Sequence, residues 1–497
     1  MTTSKPMRSW RGISSLITVD RRAGKPLHRQ IYDAYRARIV RRELRAGQPV
    51  PSTRELAGEL RISRIPVLNA YAQLLAEGYF EARVGSGTFV SNSLPDRLAA
   101  WEKGRATVAE ADSGPRRTAA LAAGLPRYDR PPWVLTGGAF NASLPALEAF
   151  PFRVWSELLT RYSRNLRVSA LQYGNPMGLE DLRDAIATYL RTARAVQCEP
   201  EQIMIVSGSQ QALDLSTRVL LDPGAPVWVE EPGYWLIHHT LQAAGCRAVP
   251  VPVDAEGLDV AAGIQLCRKA RAAYVAPSHQ YPLGVIMSAA RRLQLLQWAR
   301  NSGSWIVEDD YDSEYRYESM PIASLQGLDR YRRVIYTGTF SKVLFPSLRL
   351  GYMVIPCDLL ERFTAVRRAM DICPSHICQA VLAEFIREGH FSRHVRRMRL
   401  LYSERRSVLV EAIQREFGSQ LTMLGGEAGM HLTVMLPNGL RDRGISERAA
   451  RKGLWLWPLS PAYFGKHPRQ GFILGFGSTR STEIAEAVRR MARFLKT

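Results

Sequence analysis

The sequence has no apolar run approaching the roughly 20 residues that a membrane-spanning helix needs. Its first residues, "MTTSKPMRSWRG", lack the apolar core of a secretory signal. Six cysteines are present (Cys198, Cys246, Cys267, Cys357, Cys373 and Cys378), without a CxxC pair, and the spacing of Cys373 and Cys378 fits no common zinc pattern. That disfavours a disulfide scaffold and a zinc module, and it predicts free thiols in a reducing compartment, hence a cytoplasmic protein. Acidic residues are few: 46 Asp+Glu stand against 67 Lys+Arg, a net charge of +21. Such an excess calls for a polyanionic partner, although charge alone also serves solubility or a membrane surface.

The basic excess is not spread evenly. Residues 1–100 hold 17 basic and 8 acidic residues, so nearly half of the net charge lies in a fifth of the chain. Within that stretch Ile31, Tyr35 and Ile39 recur at helical spacing. Ser52-Thr53-Arg54-Glu55 has the form of a capping box, opening a second helix with Leu56 and Leu60 inward. Ser63 is placed to cap a third, whose apolar face is Val67, Tyr71, Leu74 and Leu75; Pro66 falls in its first turn, where a missing N–H is harmless. "YFEARVGSGTFV" then reads as two short strands about Gly85-Ser86-Gly87. Three helices and a hairpin make a winged helix-turn-helix over residues 26–91, preceded by an arm, 1–25.

In such a module Arg54 and Arg64, at the starts of the second and third helices beside Ser52 and Ser63, can contact phosphate or guanine. Gly85, Ser86, Gly87 and Thr88 let the wing backbone approach a duplex closely. Double-stranded DNA is the expected partner. The alternative is an interaction module whose arginines are merely solvated.

Residues 92–134 show no sustained periodicity and read as a linker with one helical piece at most. Beyond them "QIMIVSG", "PVWVEE", "AAYVAP", "SWIVEDD" and "RVIYTG" alternate with helical segments, which predicts an α/β domain on a mainly parallel sheet. Three features fall at carboxyl ends of these strands, where open α/β sheets bind ligands. Gly208-Ser209-Gln210 opens a helix and can hold a phosphate. The run Glu308, Asp309, Asp310, Asp312, Glu314 is either a divalent-metal cluster or one buried carboxylate among solvated ones. A buried carboxylate there can keep a pyridine ring cationic, as an electron-sink cofactor requires. In "TGTFSKVLFPSLRLGY", Thr339, Ser341 and Arg349 suit a phosphate, and Lys342 suits a Schiff base with pyridoxal phosphate. Phosphate turn, carboxylate and lysine in that order favour pyridoxal 5'-phosphate, with no metal.

Two resemblances are carried by particular stretches. "PSTRELAGEL" with "AYAQLLAEGYFEARVGSGTFV" resembles the DNA-binding domain of GntR-type regulators, from which Arg61 and Ile65-Pro66 depart where glycine and polar residues are commoner. "LQYGNPMGLEDLR", "GSQQALDL", "EEPGY", "PSHQYPLG", "EDDYDSEYRY", "GTFSKVLFPSLRLGY" and "GHFSRHVRRMRLLYSERR" are similar to fold-type I aminotransferases, and residues 26–497 together resemble the MocR/GabR family of transcription regulators. The resemblance implies a fold-type I domain over 135–497 with a small C-terminal α/β subdomain, assembled as a head-to-tail homodimer with each pocket near the interface.

It further implies Lys342 as the internal aldimine, through which an amine or amino-acid metabolite, or pyridoxal phosphate itself, is sensed. Asp309 is implied as partner of the ring nitrogen, Tyr311 as donor to the ring hydroxyl oxygen and Tyr234 as the residue stacked on the ring. Ser209, Gln210, Thr339, Ser341 and Arg349 are implied about the phosphate, and Tyr173 and His279 near the pocket. Tyr281-Pro282 stands where Asn-Pro is common, which places more on Tyr311. An arginine that grips substrate carboxylate in many such aminotransferases falls near Ile473 here, flanked by Arg469 and Arg480. A regulator is therefore expected, with a working aminotransferase carrying a DNA-binding appendage as the alternative.

Overall fold

The structure is a computed structural model, and it describes residues 17–92, 118–126, 138–142, 144–317, 322–465 and 467–495. The chain divides into two compact units, residues 1–117 and 118–497.

In the first unit α1 (Leu27–Val40), α2 (Thr53–Glu59) and α3 (Arg64–Ala76) precede the hairpin β1 (Phe80–Arg83) and β2 (Gly87–Val90). The periodic apolar residues do converge: Ile31, Tyr35, Leu56, Val67, Tyr71, Leu74, Phe80 and Val90 form one core. At its centre Tyr35, Tyr71 and Phe80 meet pairwise edge to face, with centroids 5.1–5.7 Å apart, geometry worth about 0.5–1.5 kcal/mol per pair beyond burial. Ile17, within the expected arm, is also buried in this core; residues 1–16 lie outside the described residues. The capping box forms in both directions, Ser52 Oγ accepting from the Glu55 amide and Glu55 accepting from the Ser52 amide. Ser63 has N-cap dihedrals but makes no side-chain cap bond. The hairpin is antiparallel with Arg83 opposite Gly87. Residues 47–50 add a short edge that the sequence did not announce, Val50 donating to the Thr88 carbonyl and Val90 to that of Gln48.

Of the expected linker, residues 93–117 and 127–134 lie outside the described residues. The turn of helix Ala120–Ala123 packs with the second unit, where Gln242 donates to the Gly124 carbonyl at 2.7 Å.

The second unit is built on an eight-stranded sheet in the order β3-β10-β9-β8-β7-β4-β5-β6. Its strands are β3 (Ile203–Val206), β4 (Pro226–Glu231), β5 (Arg247–Asp254), β6 (Gly257–Leu258), β7 (Ala272–Val275), β8 (Trp305–Asp310), β9 (Val334–Thr339) and β10 (Gly351–Val354). The five expected strands are all present. They read as unbroken apolar runs because helices cover both sheet faces. β10 runs antiparallel to both β3 and β9, the one reversal in the part of the sheet that carries the site. Helices α4 (Ser209–Leu220) and α5 (Trp235–Ala243) follow β3 and β4, and the 28-residue α6 (His390–Phe417) leads to a smaller antiparallel sheet. That sheet has the order β11-β12-β14-β13, with β11 (Thr422–Gly425), β12 (His431–Met435), β13 (Trp457–Pro458) and β14 (Gly471–Gly475). Its core includes residues of α6 and of α7 (Ser481–Leu495). Among the described residues no helix is long and apolar enough to cross a membrane.

Candidate functional site

The turn between β3 and α4 begins at Gly208, whose φ of +83° is costly for any residue with a Cβ. A Cβ there would stand 3.2–3.3 Å from the Arg349 guanidinium, so glycine also makes room for that side chain. Arg349, itself left-handed at φ +52°, donates to the Ser207 carbonyl across the same turn. Ser209 and Gln210 occupy the first turn of α4, whose exposed amide groups and dipole favour an anion.

A cavity of about 560 Å³ opens here, and the sequence-selected residues converge on it from separate strands. Ser209, Gln210, Thr339, Ser341 and Arg349 line one part; Tyr234, Asp309, Tyr311 and Lys342 line the remainder. Two polar atoms of this lining, Ser341 Oγ and Gln210 Oε1, are shielded from solvent and have no hydrogen-bond partner. Orphaned buried polar atoms are costly, and a ligand rich in oxygens relieves them. Burial lowers the Lys342 amine, while Asp312 and Asp309 oppose that shift, so the unprotonated nucleophile is favoured relative to an exposed lysine. These residues fit pyridoxal phosphate: an anion turn, an amine and a carboxyl group share one enclosure.

The acidic run resolves into separate roles, and the expectation of one buried carboxylate among solvated ones is corrected. The pleat of β8 sends Asp309 to the cavity face. Asp312 lines the cavity as well, while Glu308, Asp310 and Glu314 are held in contacts of their own. Glu308 accepts the Leu325 and Gln326 amides at 2.8 Å each. Asp310 is enclosed with Arg194 at 2.8 Å and the Tyr336 hydroxyl at 2.6 Å. Glu314 accepts from Tyr189 at 2.9 Å. Among the described residues Asp312 is the member of the run that groups with His279 and His431, the three offering ligand atoms within 4.8 Å of one another. Desolvation first, then the charge of Asp310, push Asp309 up to about 7. A cationic ring nitrogen beside it would supply the missing counter-charge.

His279 does not line the cavity; it is buried behind Tyr311, with Nδ1 3.1 Å from the Tyr311 hydroxyl and 2.9 Å from Asp312 Oδ1. Tyr173 is 84 % exposed and is not among the cavity-lining residues. Motif reading passed over Glu230, His431, Met430 and Trp457, which also line the cavity. Glu230 is the penultimate residue of β4, in the stretch "EEPGY", and was visible in principle; the other three come from the small sheet and its approaches, where no motif marks them. Ile473, where a carboxylate-binding arginine would fall, is fully buried in β14 opposite Thr433 and Trp457. Arg469 and Arg480 are exposed.

In the first unit Ser52, Arg54, Ser63 and Arg64 are each exposed, and Arg64 Nε donates to Thr53 Oγ1 at 3.0 Å. That bond ties the start of α3 to the start of α2. Gly85, Ser86 and Gly87 are exposed at the hairpin tip, and Thr88 is half-buried, its carbonyl engaged by Val50. Arg61, where glycine is commoner, indeed has φ +52°.

Residues 27–90 match the gntR family of bacterial regulatory proteins, and residues 146–458 match the class I and II aminotransferases. The chain is 41% identical over 474 residues to the probable rhizopine catabolism regulatory protein MocR of Rhizobium meliloti, covering 95% of this chain and 94% of that one. It is 32% identical to the HTH-type pyridoxine biosynthesis transcriptional regulator PdxR of Corynebacterium glutamicum, covering 90% and 91%. Among solved structures it is similar to kynurenine aminotransferase of Pyrococcus horikoshii, with 29% identity and a TM-score of 0.70 over 76% of this chain and 96% of that one. A winged GntR head and an aminotransferase-like domain, joined in one chain and matched over nine-tenths or more of both chains by such regulators, place the protein in the MocR/GabR family of transcription regulators.

Proposed function

We propose that the chain binds promoter DNA through residues 26–91 and senses a small amine or amino acid through pyridoxal phosphate held at Lys342, as a head-to-tail homodimer in the cytoplasm. The observation that carries this reading is the convergence of Lys342 and Asp309 on one cavity whose Ser341 and Gln210 oxygens lack partners. When bound, the cofactor supplies an aldehyde carbon that amines bond reversibly and a ring that colours the protein.

The residues divide the work. Arg349, Ser209, Gln210, Thr339 and Ser341 hold the phosphate by charge, hydroxyls and the α4 N-terminus. Asp309 keeps the ring nitrogen protonated, Tyr234 covers a ring face and Tyr311 donates toward the ring oxygen. Lys342 competes with the incoming amine for the same carbon. Regulation then requires that the effector bind two arrangements of the protein with different affinity.

The test is a gel-shift titration of upstream DNA with and without pyridoxal phosphate and a panel of amines, on the native chain and on Lys342→Ala. The native chain should retain cofactor covalently after borohydride reduction, and the variant should lose both that and the amine response. A variant that keeps both would overturn the assignment.

A further inference from the structure

The ionisable lining of the cavity is one-sided. Among the described residues it presents three carboxyl groups, Glu230, Asp309 and Asp312, but only two basic side chains other than histidine, Lys342 and Arg349. On the reading above, both cations are engaged by the cofactor, Lys342 at the aldehyde carbon and Arg349 at the phosphate. Asp309 is engaged by the ring nitrogen. An effector therefore meets Glu230, Asp312 and His431.

None of these attracts an anion. Glu230 is buried and accepts from the Ala276 amide at 3.3 Å and from Gln280 at 3.4 Å. Burial pushes it up to about 8, and a carboxyl group adds no positive charge in either protonation state. Asp312 is buried against His279. His431 Nε2 faces the Pro282 carbonyl at 3.3 Å; burial, then the neighbouring His279, hold its imidazole neutral. Much of the remaining wall is apolar, from Leu144, Leu236, Ile237, Val275, Met430 and Trp457. Ile473 belongs to an apolar cluster against which Tyr281 and Trp457 pack, so the cavity gains no cation from β14.

Resting on the proposed cofactor site, we infer that the effector is a primary amine carrying no carboxylate or other anionic group. A carboxylate entering this cavity exchanges water for carboxyl groups and apolar side chains, with no uncommitted cation among the described lining residues of the chain to meet it. An ammonium group meets acidic neighbours on entry, and an uncharged body suits the apolar wall.

Matched pairs test this directly: 2-phenylethylamine with L-phenylalanine, isoamylamine with L-leucine, and ethanolamine with L-serine. Each is titrated into the full-length chain loaded with pyridoxal phosphate, reading the visible absorption of the bound cofactor and the gel shift of upstream DNA. The expected result is an absorption change at a concentration at least about tenfold lower for the amine of a pair than for its amino acid, since leaving a buried carboxylate uncompensated costs more than that ratio. An amino acid acting at an equal or lower concentration in any responding pair overturns the inference, and so does an absorption that none of the six alters. A chain that takes up no chromophore at all would instead overturn the cofactor reading beneath it.

Discussion

The Tyr311 hydroxyl and Asp312 Oδ1 face the same atom, His279 Nδ1, at 3.1 and 2.9 Å. One ring nitrogen cannot be both protonated toward a carboxylate and a lone pair toward a phenol. An Nδ1–H donated to Asp312, the shorter of the two contacts, leaves the Tyr311 O–H to donate elsewhere. His279 and Asp312 are thus positioning residues for Tyr311.

Removing Asp312 should release that constraint. In Asp312→Ala, Nδ1 becomes free to accept from Tyr311, drawing its proton away from the cavity. The absorbance-against-pH midpoint of bound pyridoxal phosphate should move by roughly one unit, the size expected when a hydrogen bond of about 1.4 kcal/mol is redirected. An unchanged midpoint would remove His279 from this role.

Asp309 gives the cofactor-free protein a pH-dependent stability of definite sign. Its folded carboxyl is pushed up to about 7 from 3.8, so the native state keeps a proton that the unfolded chain has released. Stability should therefore fall as pH rises from about 4 and level off above 7. Calorimetry between pH 5 and 8 should show a shallower decline for Asp309→Asn; Glu308, raised to about 7, supplies a remainder of the same sign. Identical slopes in the two proteins would contradict the burial assigned to Asp309.

Arg54 and Arg64 should carry both affinity and salt dependence. Removing an arginine that neutralises one phosphate lowers the slope of log affinity against log salt by about one, and removing one that reads a base costs about 1–3 kcal/mol. The double alanine variant should bind operator DNA at least about tenfold more weakly, with a slope smaller by up to about two. Full retention of both would move the DNA surface elsewhere.

The two serine caps should behave differently although their sequences look alike. Ser52→Ala removes a formed capping box and should cost about 1 kcal/mol, speeding amide exchange in α2 by roughly fivefold. Ser63→Ala removes no side-chain bond and should leave α3 almost unaffected. Equal effects in hydrogen-exchange measurements would contradict this asymmetry.

What the sequence made legible follows from local physics. Central strands announced themselves because both faces are covered, and the phosphate turn because only glycine tolerates φ +83° with an arginine so near. The division of the acidic run was not legible. It depends on the pleat of β8 and on Arg194, which is 116 residues from Asp310 in sequence. The reversed direction of β10 escaped because hydropathy carries no strand direction. Tyr173 was selected through a motif, yet its environment is set by contacts that no local pattern encodes.

The antiparallel insertion of β10 has a consequence for biosynthesis. Among the described residues β3 pairs only with β10, so residues 203–206 wait for residues 351–354 before they join the sheet. The ribosome must by then have passed residue 351, while the winged head closes its core by residue 90. A nascent chain thus completes its DNA-reading part long before its chromophore site can form. Cofactor supply during translation acts on a molecule whose head is already folded, and a message truncated before codon 351 yields a head with no sensor to govern it.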